Sequence, residues 1–483
     1  MAQPNGNLKA ALDYLDAHLP DFQQQLVALS RIPGVSAEPA PDQHLKRSAE
    51  ATAQVMRAAG IENVEILELP GVHPYVYGDW LHRADAPTLL LYGHHDVQPE
   101  GRHERWISPP YEPTVREGRL YGRGTADDKA GVMTHVAAVA SYLKSTGELP
   151  VNVRFVIEGE EEIGSENLGL FLQRYKDRLA ADFIVLSDTA NFDTGIPALT
   201  YQLRGICTID VKVQTIEQPV HSGMWGGPVP DPVQIMCRLI ASLSGRKGEI
   251  DAPGLYQQVA KTPARQLARI RKLPFSEAKF KREARMMKGM KLNGERGFSV
   301  YEQLWTRPAL TVIAFDARPI KGSSNQIIDH VTARLSLRTV PNMDAVKAGR
   351  AVIKKLTAKP PYGARVTAEI VGTTPWWTTD PEGPAFEAAR RALKAGYGKE
   401  TAMIGAGGSI GFVGPFADLL GGAPCLLMGV EDPLCNAHSE NESLHLGDWE
   451  KSMKAAIHMY DELSRVPTRK TGATAPKARR ARS

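Results

Sequence analysis

In Leu89-Leu90-Leu91-Tyr92-Gly93-His94-His95-Asp96 an apolar run of strand character leads directly into two imidazoles and a carboxylate. His94 and Asp96 are two residues apart, so in an extended chain they project to the same side while His95 projects to the other. That suits a metal-bound imidazole held in orientation by a nearby carboxylate. A hydrogen-bonded histidine closing a strand fits the same residues. The stretch LYGRGTADDK, ending at Lys129, is a glycine-rich turn that carries two adjacent acids, Asp127 and Asp128, into an apolar helix. Either acid can cap that helix, leaving the other free to bridge two divalent cations with its two oxygens. The Gly-x-Gly spacing and flanking acids are wrong for a dinucleotide turn. Glu158-Gly159-Glu160-Glu161-Glu162 places four acids in five residues after the run VNVRFVI. As a surface loop they repel one another; bound cations remove the repulsion, and neighbouring glutamates can then serve separately as ligand and general base. Phe183 to Asp188 is another apolar run ending in an acid, a common turn arrangement, and CLLMGV is followed by CNAHSENE, which supplies His438. Each piece alone has an ordinary structural reading. Together, two histidines and several Asp/Glu at the ends of successive strands form the ligand chemistry of zinc or manganese at an open catalytic site.

The elements that must hold these groups follow from periodicity. Leu8, Leu12, Leu15, Leu19, Phe22 and Leu26 recur at helical spacing, and the run ends near Ile32-Pro33-Gly34. Strand-like runs at 62–68, 88–92, 151–157 and 183–187 alternate with helical stretches at 130–145 and 165–177, the pattern of an α/β domain with a largely parallel sheet. Open sheets of this kind bind ligands beyond the carboxyl ends of their strands. From about residue 204 the texture changes: CTIDVKVQ and HVTARLSLRTV alternate with period two, and VQIMCRLIASL is helical. Helical (384–395) and apolar (424–430) segments then resume the first pattern. The expected α/β fold is therefore a split domain, 1–204 and 376–465, with a mostly parallel sheet flanked by helices, interrupted by an α+β insertion, 205–375, with an antiparallel sheet.

Composition narrows the function classes. With 42% hydrophobic and 23% charged residues in 483, the chain is neither disordered, fibrous nor membrane-like, and no run approaches the roughly 20 apolar residues of a membrane span. The N-terminal stretch lacks the apolar core of a secretory signal, which predicts a cytoplasmic protein. The four cysteines, Cys207, Cys237, Cys425 and Cys435, lie far apart in sequence, so buried thiols are expected rather than a disulfide framework or a thiolate metal site. The formal charge of +4 suggests nucleic acid, yet seven Lys/Arg and no acid fall in 465–483, leaving 51 basic against 54 acidic residues elsewhere. The body is mildly acidic, no nucleic-acid partner is expected, and 466–483 reads as a basic, disordered tail. Residues 264–291, rich in Lys and Arg interleaved with apolar residues, read as a solvated basic helix face.

The ordered motifs GHHDVQP, WISPPYEPTVREGRLYGRGTADDKAG, EGEEEIGSENL, LRG, HSGMWGG, LWTRPAL, LSLRTVPNM and NAHSENES make the chain, from about residue 10 to 463, resemble the dinuclear zinc metallopeptidase family. That family includes carnosinase-like cytosolic dipeptidases, glutamate carboxypeptidase and aminoacylase, and the chain is most similar to the carnosinase-like branch. The resemblance implies two divalent metals, zinc or manganese, with His94 and Asp188 on one, Glu162 and His438 on the other, and Asp127 bridging both. It implies a cis Asp127–Asp128 bond, Asp96 orienting His94, and Glu161 as general base for a water held between the metals. Two departures stand out: Ala130 separates Lys129 from Gly131, and Glu160 occupies a position where relatives often carry an apolar residue. The insertion would be a lid and dimerisation domain, with His221 reaching across a homodimer to stabilise the oxyanion in the neighbouring active site. Asn325, in place of a hydroxyl residue found in some relatives, and Arg338 would bind substrate, with Arg338, Gly408 and Ser409 receiving a terminal carboxylate. The implied activity is hydrolysis of dipeptides or short peptides. The alternative is a deacylase of N-acylated amino acids, against which HSGMWGG and LWTRPAL speak.

Overall fold

The computed structural model describes residues 6–37 and 43–468, so the expected basic tail lies outside the described residues from 469 onward. The chain forms two compact units. The first comprises the residues up to Tyr201, Thr379–Ile404 and the chain from Gly411; the second comprises Gln202–Thr378 and Gly405–Ile410.

The first unit is organised on a mixed sheet in the order Glu62–Leu67, Tyr75–Trp80, Asn152–Glu158, Thr88–His94, Phe183–Ala190, Cys425–Glu431 and Ala198–Leu203. Its parallel character is concentrated in the middle: the four strands from Asn152–Glu158 to Cys425–Glu431 run parallel to their neighbours, and antiparallel strands flank them. Strands covered on both faces must be apolar throughout rather than alternating, and Thr88–His94 is buried from Leu89 to its end. Tyr75–Trp80 is buried along its whole length, but its Gly78 and Asp79 disguise it in sequence. Gly78 is needed because a Cβ there would meet Ile61 and Met56 side chains at 2.8 and 2.9 Å.

Helix Lys129–Thr146 lies deepest. It is buried from Lys129 to Tyr142, as a helix apolar on all sides must be, and packs against Gly6–Ser30, Gln43–Ala59 and Leu446–Leu463. Gly147, in the left-handed region at φ 78°, ends it and donates its N–H to the Leu143 carbonyl, the usual glycine stop.

In the second unit a four-stranded antiparallel sheet runs in the order Ala309–Asp316, His330–Thr339, Gly205–Gln214, Arg365–Thr374. Gly205–Gln214 alternates strictly, with Cys207, Ile209, Val211 and Val213 buried, because only one face meets helices. Pro232–Ala241 and Ala345–Thr357 cover that face, and both are capped by aspartates, Asp231 and Asp344, whose carboxylates accept N–H groups of the first turn. Each fully buried Val or Ile contributes about 1.5–3 kcal/mol. All four cysteines are free; Cys207, Cys425 and Cys435 are buried as expected, whereas Cys237 is exposed because it falls on the outer side of Pro232–Ala241.

Candidate metal centre

Four neighbouring parallel strands end on one side of the first unit, and each delivers a polar group there. His94 pairs with Glu158; Tyr92 pairs with Leu186, so two residues further along stand His94 and Asp188. The acidic turn follows Asn152–Glu158, and the loop of His438 follows Cys425–Glu431. The donor atoms of His94, Asp127 and Asp188 lie within 4.8 Å of one another, as do those of Asp127, Glu162 and His438, with Asp127 common to both sets. His94 Nε2 is 3.1 Å from Asp127 Oδ1 and 3.9 Å from Asp188 Oδ1. His438 Nε2 is 3.0 Å from Asp127 Oδ2 and 3.2 Å from Glu162 Oε2. The Asp127–Asp128 peptide bond is cis.

The electrostatics of this cluster favour cations. Burial and the neighbouring negative charges of Glu162, Asp127 and Asp96 push the Glu161 carboxyl up to about 8. Burial and adjacent acids also raise Glu162 and Asp188, while Asp127 and Glu162 hold His438 protonated up to about 11. Acids raised in this way are relieved by positive charge close by. Two imidazoles and two further carboxylates around a shared Asp offer N and O donors of the kind that suit zinc or manganese, so the residues fit divalent ions.

Asp96 ties two parts of the cluster together. Its carboxylate lies 3.3 Å from His94 Nδ1 and accepts the backbone N–H groups of Glu161 and Glu162 at 3.3 and 3.0 Å. His95, pointing the opposite way, is buried with Nε2 at 2.9 Å from the Pro74 carbonyl. Lys129 also points away: its Nζ donates to the Leu29 and Ile32 carbonyls, anchoring the end of helix Gly6–Ser30.

The acidic run divides by partner. Glu158 accepts hydrogen bonds from Tyr75 and Tyr92. Glu160, the departure noted in sequence, is 1% exposed and accepts from Tyr75 Oη and from Asn167 N and Nδ2, so it braces the turn from behind. Glu162 accepts from Gln98 Nε2 at 2.8 Å. Of the four acids in this run, Glu161 is the one whose carboxylate accepts no hydrogen bond from the described residues, which leaves it available to a small molecule.

The sequence reading missed the residue that holds Asp127 in place. Glu442 is fully buried; one of its oxygens accepts from Ala126 N and Asp127 N, and the other from Gly124 N and Arg123 Nη1. Its only signal in sequence was its position four residues after His438. The loop that carries His438 and Glu442 holds non-glycine residues in the left-handed region, Asn436, His438 and Asn441; for His438 that conformation costs about 1–2 kcal/mol, which the surrounding contacts must offset.

Gly131 explains why the departure at Ala130 is tolerated. A Cβ at Gly131 would lie 1.9 Å from Asp128 Oδ1 and 2.5 Å from the Ser187 carbonyl, so the demand for glycine falls on position 131. Gly131→Ala should destabilise the protein by about 1–3 kcal/mol through overpacking, although alanine in a helix normally gains about 0.5–1 kcal/mol over glycine. Chemical denaturation checks this; a more stable variant would refute the packing argument.

The remaining candidates lie in the second unit, in two places. His221 pairs across a short ladder with Gln326, is exposed, and accepts the Gly223 N–H on Nδ1 at 3.1 Å. Asn325 adjoins it, its carbonyl accepting from Ser222 N at 2.9 Å. Arg338 donates from Nη1 to Ser409 Oγ at 2.8 Å, and the Gly408 carbonyl accepts from Arg204 N at 3.1 Å.

Residues 90–465 match the model of a family described as peptidase family M20/M25/M40. The cysteinylglycine-S-conjugate dipeptidase of Corynebacterium striatum is 34% identical over 362 residues, 74% of this chain and 77% of that protein. The Beta-Ala-His dipeptidase of Rattus norvegicus is 28% identical over 481 residues, 96% of each chain. Among solved structures, human carnosine dipeptidase 1 is similar with a TM-score of 0.86 at 26% identity, covering 96% of this chain and 100% of that one.

Proposed function

Because the chain belongs to peptidase family M20/M25/M40, we propose that it is a metal-dependent dipeptidase that hydrolyses the peptide bond of dipeptides or short peptides. The observation that carries this reading is the pair of donor sets sharing Asp127, with the free carboxylate of Glu161 beside them. In this reading His94 and Asp188 hold one divalent ion, Glu162 and His438 a second, and Asp127 both; zinc is favoured, with manganese the alternative. Such ions, when bound, acidify water and polarise a carbonyl.

The chain's own residues do the rest. Glu161 takes a proton from the attacking water and delivers it to the leaving amine, and its raised proton affinity suits both tasks. Asp96 keeps the His94 ring and the Glu161 backbone in fixed relation. His221 is assigned to the oxyanion in a neighbouring subunit's site, Asn325 to the substrate, and Arg338, Gly408 and Ser409 to its terminal carboxylate. The catalytic unit is then a homodimer. Supporting this, the edge strand Ala309–Asp316 exposes Val312, Ile313 and Phe315, a liability that natural edges cover or charge. Ile313→Lys with Phe315→Lys should yield monomers by light scattering and lower kcat by about 10²–10³-fold, as His221→Ala should, since each removes one oxyanion donor. Full activity in a monomer would remove His221 from the scheme.

Four free thiols suit a reducing compartment, and on that ground we place the protein in the cytoplasm; among the described residues no helix is long and apolar enough to cross a membrane. Turnover of Ala- and Gly-containing dipeptides against N-acetyl and N-succinyl amino acids, with zinc or manganese added, tests the activity. Dipeptides should be preferred by about 100-fold or more; preference for the acylated amino acids would establish the deacylase instead.

A further inference from the structure

Arg204 stands at the entry to strand Gly205–Gln214 and is 7% exposed. Its Nε donates to the Gly407 carbonyl at 2.9 Å and its backbone N–H to the Gly408 carbonyl at 3.1 Å. In the adjacent strand Arg338 pairs with Ile206, two residues along from Arg204, and donates to Ser409 Oγ. Two guanidinium groups thus meet one short turn, Gly407-Gly408-Ser409.

Among the described residues neither is matched by an acid. Burial lowers Arg338, and burial together with the charge of Arg338 lowers Arg204 to about 10; no carboxylate contributes to either. Other buried arginines in this chain are neutralised, Arg119 by Asp432 and Arg123 by Glu442. Arg204 is buried and Arg338 half-buried; cations taken from water without a counter-charge are costly, and the guanidinium forks still have N–H groups to offer, the geometry that takes carboxylates bidentately. Two cations also exceed what one carboxylate neutralises.

We propose that Arg204 is a specificity-determining residue which, with Arg338 and Ser409, forms a two-guanidinium receptor for a C-terminal residue bearing two carboxylates, so that the enzyme favours dipeptides ending in Asp or Glu. This rests on the dipeptidase reading above. Ala-Asp and Ala-Glu should exceed Ala-Asn and Ala-Gln in kcat/KM by about 10–100-fold, the range of a hydrogen-bonded charge. In Arg204→Met that preference should fall to within about threefold, mainly through KM, with Arg204→Lys intermediate. Loss of the Gly407 contact alone would slow all four substrates equally, so the ratio separates recognition from loop support. Preference for the amides in the wild type, or an unchanged ratio in Arg204→Met, overturns the proposal; if Arg204→Met does not fold, an unchanged ratio in Arg204→Lys does so. Calorimetric binding of free aspartate and asparagine gives a readout without turnover. Tighter aspartate binding that Arg204→Met abolishes would uphold the receptor even if no dipeptide were cleaved.

Discussion

Glu161→Gln is expected to lower kcat by about 10²–10⁴-fold, the usual contribution of a positioned general base, while bound metal stays at the wild-type level. The substitution keeps the shape of the side chain and removes only its capacity to take a proton. Its neighbours are engaged elsewhere: Glu158 and Glu160 by tyrosines and Asn167, Glu162 by Gln98. The backbone N–H of residue 161 bonds to Asp96, so the turn should keep its place in the variant. Steady-state kinetics beside metal analysis on the same preparation checks the expectation. Near-normal turnover with metal bound would exclude Glu161 as the base and return the question to its acidic neighbours.

The second large effect is structural. Glu442→Gln should cost about 3–5 kcal/mol of unfolding free energy, because it leaves the Arg123 guanidinium, 1% exposed, without its counter-charge. The amide also turns a donor toward at least one of the N–H groups that the carboxylate accepts, those of Gly124, Ala126 and Asp127. Since the last two belong to the turn that presents Asp127, metal affinity should fall as well. Denaturant titration and metal titration measure the two effects. Replacing both partners, Glu442→Leu with Arg123→Met, should recover part of the stability, since an apolar pair often substitutes for a buried ion pair, but not the metal affinity. A loss below about 1 kcal/mol in Glu442→Gln would show that the pair does not hold the turn.

What the sequence could show about the site depended on how local each signal is. An apolar run ending in His94, or in Asp188, is readable because strand periodicity and its interruption lie within a few residues. Glu160 was ambiguous because its partners, Tyr75 and Asn167, belong to a different strand and to the start of a helix, and one of those strands, Tyr75–Trp80, was itself hidden by its Gly and Asp. Arg204 and Glu442 sat inside recognised motifs, yet nothing local distinguishes an arginine matched by an acid from one that is not.

The sequence by itself determined the kinds of donor, their placement at strand ends, and the change of pattern near residue 204, because these follow from side-chain chemistry and from periods of two and 3.6 residues. Only the tertiary structure decided that the four donor-bearing strands are adjacent and parallel in the order that brings His94, Asp127, Glu162, Asp188 and His438 together. It alone decided that Glu161 is the unengaged acid of the run 158–162 and that Arg204 has no counter-charge among the described residues. Partners more than 300 residues apart in sequence, such as Arg123 and Glu442, are chosen by sheet order and packing, and a burial cost arises only once the chain has closed around the charge.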